Sequence, residues 1–212
     1  MKKTITKMFA VAGIVAVTMF TSNAQISVGL TGGLGLPMGD MAEKTKMNVG
    51  TGFGGGITAR YWLNEKMAVG LNASYFSFKP NDVPSGATAS MTVMPISAAF
   101  DYYLMDEGFK PFVGLELGMI NNSISITQTV SGVSAESTAS KTGLLVAPVV
   151  GIAYSVTDAI DISLNAKYMY GMTDGKVDVT TKFNGSSVTQ SQDWYATTYV
   201  GINLGVSYKF GN

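Results

Sequence analysis

The stretch WYATTYVGINLGVSYKF, from Trp194 to Phe210, decides the fold class of this chain. One parity is apolar at eight of its nine positions: Trp194, Ala196, Thr198, Val200, Ile202, Leu204, Val206, Tyr208 and Phe210. The other parity holds Asp193, Tyr195, Thr197, Tyr199, Gly201, Asn203, Gly205, Ser207 and Lys209, with no aliphatic side chain. Residues two apart share one face of a strand, whereas a helix cannot keep this pattern on one face. The stretch therefore predicts a β-strand with one apolar and one polar face.

Seven other segments follow the same period of two. They are Ile26–Leu36, Gly50–Leu63, Met67–Lys79, Ser90–Leu104, Lys110–Thr127, Thr142–Val156 and Ile160–Met172. Three connections are short and polar: 64–66, 106–108 and 157–159. Four are long and rich in Ser, Thr, Gly and Asn: 37–49, 80–89, 128–141 and 173–192. We expect an all-β fold, an eight-stranded antiparallel up-and-down barrel with both termini on the short-turn side.

Composition indicates which face of the barrel meets water. Hydrophobic residues make up 46% of the chain and charged residues 13%, against about 25% charged in soluble domains. The polar face is crowded with glycine, which suits a curved interior better than a solvated surface. Aromatic residues bound the apolar face at both ends, as at membrane interfaces. These features favour a transmembrane barrel over the alternative, a soluble barrel with an apolar cavity.

The first 24 residues resemble a secretory signal peptide. Lys2, Lys3 and Lys7 precede an apolar stretch of 13 residues, Met8 to Phe20, and the small residues Ser22-Asn23-Ala24 predict cleavage before Gln25. The apolar run is shorter than a membrane-spanning helix requires. We therefore expect a signal peptide at 1–24 and a barrel domain at 25–212. Without the three lysines, 11 basic residues face 14 acidic ones, a net charge of −3 that gives no electrostatic case for nucleic acid.

Two stretches carry a resemblance to a known family. The terminal aromatic strand Gly205–Phe210 is one, and the hairpin formed by Pro95–Leu104 and Lys110–Gly118 is the other. Together with the signal peptide and eight strands, they resemble the small outer-membrane β-barrel proteins common in Bacteroidetes, over the whole mature chain. The resemblance implies a location in outer-membrane lipid and assembly by the barrel insertion machinery, but no particular substrate. One departure is Gly211-Asn212, which follows the usually terminal aromatic residue.

Six ionisable residues share the inward parity and form a predicted lumen charge network: Arg60, Asp101, Glu116, Asp161, Lys167 and Lys209. Four lie near the short-turn rim, while Glu116 and Lys167 lie about six residues higher and could pair across the lumen. The network could act as a plug or gate, or could simply balance three basic against three acidic groups in a filled barrel. Eight strands leave a lumen that side chains just fill. We expect these aromatic residues to help block it: Trp62, Phe76, Phe78, Tyr103, Phe112, Tyr195 and Tyr199.

Local details carry three further expectations. Pro95 and Pro148 lie inside predicted strands, where each removes a ladder donor, so we expect β-bulges there. Asn184-Gly185 predicts a type I′ hairpin, so strands should continue beyond the membrane before turning. The acidic residues Asp174, Asp178 and Asp193 could hold a cation weakly, but are expected to be solvated. No cofactor or metal is expected.

Two functions remain open at this point. We expect a non-enzymatic, monomeric scaffold that displays surface loops or supports the envelope. The alternative is a narrow channel or a lateral path for small or apolar solutes. A lipid-active enzyme is disfavoured. The small barrel hydrolases and acyltransferases that this chain resembles in size rely on a histidine together with a serine, and this chain has no histidine.

Overall fold

The computed structural model describes residues 25–83, 85–130, 133–183 and 186–210. Its strands are β1 Ile26–Pro37, β2 Gly52–Asn64, β3 Met67–Phe78, β4 Ala87–Tyr103, β5 Phe109–Val130, β6 Val133–Ser155, β7 Ile160–Met172, β8 Gly175–Phe183, β9 Ser186–Trp194 and β10 Thr197–Phe210. A single turn of 3-10 helix spans Gly39–Met41. Among the described residues, no helix is long and apolar enough to cross a membrane. The predicted signal peptide lies outside the described residues.

Eight of these strands close into a barrel. Each of β1 to β7 pairs antiparallel with its chain neighbour, and β10 pairs with both β7 and β1. The seam between β1 and β10 runs from Ile26 opposite Phe210 to Pro37 opposite Tyr199 without a register shift. The predicted eight-stranded antiparallel barrel is confirmed.

The outer surface of the barrel is apolar, as predicted from the alternation. Leu30, Ile57, Leu71 and Leu204 are each more than half exposed, although they are aliphatic. Their inward neighbours include the buried residues Asn72 and Asn203. A water-soluble fold would bury the first set, so this inversion fits a barrel with lipid outside.

Two predicted loops are strands. β5 and β6 remain paired from Phe109 opposite Tyr154 to Val130 opposite Val133, so the segment 128–141 extends the hairpin rather than forming a loop. The segment 173–192 forms most of the β8–β9 hairpin, whose strand β8 pairs with β6 above the barrel. Both segments are rich in Ser and Thr on both faces, which hides the period of two. Strand continuation beyond the barrel was expected from Asn184-Gly185, but those two residues and their turn type lie outside the described residues.

The parity prediction fails at the start of the last strand. Trp194 was placed on the lipid face, yet it ends β9 and is 7% exposed, packed with Ala139 and Val177. Tyr195 was placed inside, yet it lies between strands and is only half-buried. The physical reason is that the chain leaves the sheet at residues 195 and 196, so β10 begins a new alternation at Thr197.

The predicted bulges at the two prolines are wrong. The β3–β4 ladder omits the pairs at Ser74 and Tyr75, opposite Pro95 and Met94, but keeps the same register on both sides. The β6–β7 ladder omits two pairs next to Pro148 in the same way. Each proline keeps its pairing with β5 on the other side. A missing N–H therefore opens one side of the ladder without adding a residue.

Candidate functional site

All six predicted lumen residues point into the barrel, and they fall into three separate clusters. In each cluster, an acid and a base reach one another across an intervening strand. The inward residue between them is small: Gly70, Ala147 or Ala153. Small side chains on the skipped strand leave the space through which the longer charged side chains meet.

The first cluster joins β2 to β4. Nε of Arg60 donates to Oδ2 of Asp101 at 2.5 Å, and Nη1 donates to Oδ1 of Asn72 at 2.7 Å. A Cβ on Gly70 would lie 2.8 Å from Cδ of Arg60, so the glycine keeps this path open. The Asp101 side chain is 3% exposed, and its charge is compensated by the guanidinium.

The second cluster lies higher in the lumen and joins β5 to β7. Nζ of Lys167 lies 2.5 Å from Oε1 of Glu116, and Oγ of Ser97 donates to Oε2 of the same carboxylate at 2.8 Å. Glu116 is 2% exposed. Both carboxylate oxygens therefore accept a hydrogen bond, which a buried charge requires.

The third cluster lies at the short-turn end and contains a residue that sequence reasoning missed. Oδ2 of Asp161 lies 3.0 Å from Nζ of both Lys110 and Lys209, and Oγ of Ser155 donates to Oδ1 at 2.7 Å. Lys110 is 2% exposed and belongs to the network. Lys110 and Glu116 are an even number of residues apart on β5, so the alternation of the strand could have placed Lys110 in the lumen. The expected balance of three basic and three acidic groups therefore becomes four against three.

Two groups of aromatic side chains share the lumen with the charged clusters. Near the short-turn end, Tyr103 packs against Trp62 and Phe112 with ring centroids 4.8 and 5.1 Å apart. Toward the other end, Tyr199 packs against Phe76 and Phe78 at 5.6 and 5.3 Å. Two cavities of about 20 and 60 Å³ meet the Glu116–Lys167 pair. Each has room for only a few water molecules.

The connection between β1 and β2 covers the long-loop end of the lumen. Met41 and Val49 are buried and join the cluster around Tyr199. Lys46 contacts Asp40 at 2.7 Å and Glu43 at 2.9 Å, which holds the connection folded. Hydrogen bonds from Lys46 and Thr45 lower the pKa of the exposed Glu43 carboxyl.

The acidic residues of the described part of the chain were compared with the needs of a metal site. No group of three or more His, Cys, Asp or Glu residues is placed to hold a metal ion among the residues that the structure describes. Of the three acidic residues considered for a cation, Asp193 pairs with Lys176 at 2.6 Å, and both side chains are about two-thirds exposed.

Comparison with known proteins identifies the same architecture. The family model described as "Outer membrane protein beta-barrel domain" matches residues 8–210. A major outer membrane protein from Thermus thermophilus is 13% identical with a TM-score of 0.69, covering 88% of this chain and 99% of that one. The outer membrane protein OprG from Pseudomonas aeruginosa is 18% identical with a TM-score of 0.54, covering 89% and 96%.

A third solved structure, the outer membrane protease OmpT from Escherichia coli, is 10% identical with a TM-score of 0.51, covering 88% of this chain and 96% of that one. At these identities the likenesses show the fold alone. No curated protein matches the chain.

Proposed function

Since this chain belongs to the outer membrane protein beta-barrel domain family, we propose that it is a non-enzymatic scaffold that holds a β-sheet outside the cell. The short turns then face the periplasm, as is usual for outer-membrane barrels. A cleaved signal peptide would supply the export signal and the barrel insertion machinery would supply assembly.

The observation that carries this proposal is the length of the β5–β6 hairpin. A spanning strand needs about 9–11 residues, whereas β5 has 22 residues and β6 has 23. The excess extends past the long-loop end, where β8 pairs with β6 at Ala135 to Thr138 and β9 pairs with β8. A paired sheet is a more rigid display than a free loop, which suits a binding surface.

The packing of the lumen supports a closed scaffold rather than a wide channel. Three ion-paired clusters and two groups of aromatic side chains occupy the lumen, and the cavities that meet the Glu116–Lys167 pair are small. We propose that the protein is a monomer, and the closed ladder of the eight barrel strands supports this, since no barrel strand needs a second chain as its partner. Absence of histidine from the whole sequence disfavours the acid–base chemistry of a lipid-active enzyme.

An epitope inserted between Phe183 and Ser186 tests the display. We expect antibody to label intact cells that carry this variant of the full chain. The matched control carries the same epitope in the short turn between Glu65 and Lys66, and should be labelled only after the outer membrane is permeabilised. Labelling of the control alone on intact cells would reverse the orientation and defeat the proposal.

A second function, a narrow or lateral path for small solutes including ions, has one specific observation in its favour. The two absent ladder pairs beside Pro95 interrupt the barrel wall, and the cavity of about 20 Å³ is lined by Ser74, Pro95 and the Glu116–Lys167 pair. Planar bilayer recordings separate the two functions. A closed scaffold gives no steady single-channel steps. Steps that diminish in Pro95→Val, which can restore the ladder donor, would favour the lateral path.

A further inference from the structure

The third cluster differs from the other two in its charge. Arg60 with Asp101, and Lys167 with Glu116, are one-to-one pairs, whereas Asp161 alone faces both Lys110 and Lys209. One positive charge at this end is therefore in excess within the cluster. A buried ammonium without a counter-charge is strongly unfavourable, so the surroundings have to compensate for it.

The ring of Trp62 supplies part of that compensation. Nζ of Lys110 lies 5.9 Å from the ring centroid, and Nζ of Lys209 lies 5.7 Å from it. Both ammonium groups are therefore attracted to the same aromatic ring. The indole is fixed in turn, because its Nε1 donates to Oγ of Ser27 at 3.2 Å and its ring packs on Tyr103.

The ammonium groups also border an open cavity of about 290 Å³ at the short-turn end. Lys110, Lys209 and Trp62 line it on the lumen side, and we call this space the short-turn mouth. An ammonium carries three donors. The hydrogen bonds described for these two ammonium groups go to Asp161 alone. Each ammonium therefore keeps donors that no described residue accepts.

Glu65 and Asp106 also line the mouth, and their carboxylates could attract a cation instead of an anion. Both carboxylates belong to exposed short turns, where water and salt screen their charge. The lysines are the buried groups: the side chains of Lys110 and Lys209 are 3% and 12% exposed. Charges act more strongly in the less polar interior, so the mouth favours an anion at its inner end.

We propose that the short-turn mouth binds a phosphate group, held between Nζ of Lys110 and Nζ of Lys209 beside the ring of Trp62. A phosphate offers several acceptor oxygens and can therefore take donors from both lysines at once. The group could belong to inorganic phosphate or to a phospholipid headgroup at the barrel rim, and these sources share the same recognition chemistry.

Fluorescence of Trp62 provides the test. The protein is refolded in a non-ionic detergent with Trp194→Phe, which leaves Trp62 as the one tryptophan, and is titrated with sodium phosphate at constant ionic strength. We expect a saturable change in emission that sodium chloride does not produce. In Lys110→Gln and in Lys209→Gln the affinity should fall about tenfold or more, since each loses a charge-assisted hydrogen bond.

The matched control is Lys66→Gln, a half-buried lysine in a short turn at the same end, which should leave the affinity unchanged. Glu65→Gln should raise the affinity for phosphate.

Short-chain phosphatidylglycerol is the second probe. Saturation by this lipid but not by inorganic phosphate, with the same dependence on Lys110, assigns the site to a headgroup. No saturation by either probe, or saturation that is unaffected in both lysine variants, overturns the proposal. Heat-modifiable migration on gels shows whether each variant is folded, and Lys209→Arg gives a second charged variant that should retain binding.

Discussion

The Glu116–Lys167 pair gives the sharpest prediction about stability. In Glu116→Gln the carboxylate charge is lost, while Lys167 stays in the lumen with its side chain 15% exposed. Removal of one partner from a buried ion pair costs about 3–5 kcal/mol. We expect Glu116→Gln to lower the free energy of unfolding by about 3 kcal/mol, near the lower end of that range, because the two adjoining cavities allow some water to reach the ammonium.

The assay is urea-induced unfolding in phospholipid vesicles, followed by tryptophan fluorescence and by heat-modifiable migration. The matched control is Asp193→Asn, which breaks a pair of similar N–O distance, 2.6 Å, on the exposed β8–β9 hairpin. Exposed pairs contribute little, so we expect a change within about 0.5 kcal/mol. The double variant Glu116→Gln with Lys167→Met should recover most of the loss, since the cost comes from the unpaired ammonium. Equal effects of Glu116→Gln and Asp193→Asn would refute this account of the lumen.

Three other perturbations test separate parts of the molecule. Gly35→Ala places a Cβ 2.6 Å from Cζ of Phe78 and should destabilise the barrel by about 1–3 kcal/mol in the same unfolding assay, whereas Gly32→Ala, with its nearest atom at 3.9 Å, should be neutral. Trp194→Ala should loosen the β8–β9 hairpin, so that limited proteolysis within 175–194 becomes faster while the barrel stays intact; unchanged cleavage would contradict the packing described. Since hydrogen bonds from Lys46 and Thr45 lower the pKa of Glu43, their stabilisation of the β1–β2 connection is present above the ordinary carboxyl pKa and is lost as the pH falls through the lowered value. Hydrogen-exchange protection factors, which correct for the slower intrinsic exchange in acid, should therefore fall at residues 40–49 on acidification to about pH 3, but less so in Glu43→Gln, which lacks the titrating group.

The barrel could be predicted from the sequence because each spanning strand needs an apolar face toward the lipid and a polar or small face toward the packed lumen. The alternation at Ile202, Leu204 and Val206 has no helical explanation. Above the membrane this constraint is lifted. The extended part of the β5–β6 hairpin has no lipid face, so Ser and Thr occupy both parities and the pattern disappears. Trp194 was misplaced for a related reason, because a break of two residues restarts the alternation without leaving a signal.

Sequence reasoning named six of the seven charged residues of the candidate site and one of its pairs, Glu116 with Lys167, which the structure also brings together. It did not name the pairs of the other two clusters. Parity places Glu116 inside, and the same parity places Lys110 there, although Lys110 lies near a turn and was overlooked. Which acid meets which base depends on tilt and on the small residues of the skipped strand, such as Gly70 between Arg60 and Asp101. Those distances come from three strands at once, and a single sequence pattern does not contain them.

Two strand pairs of the barrel, β5–β6 and β1–β10, differ in the length of chain that separates their paired residues. β5 and β6 are joined by two residues and pair along their whole length, so this hairpin can assemble from local contacts alone. β1 and β10 pair Ile26 with Phe210, from opposite ends of the barrel domain. Loop-closure entropy delays contacts between distant segments until others shorten the path. Topology therefore predicts an order of assembly in which the β5–β6 hairpin forms first and the β1–β10 pair closes last.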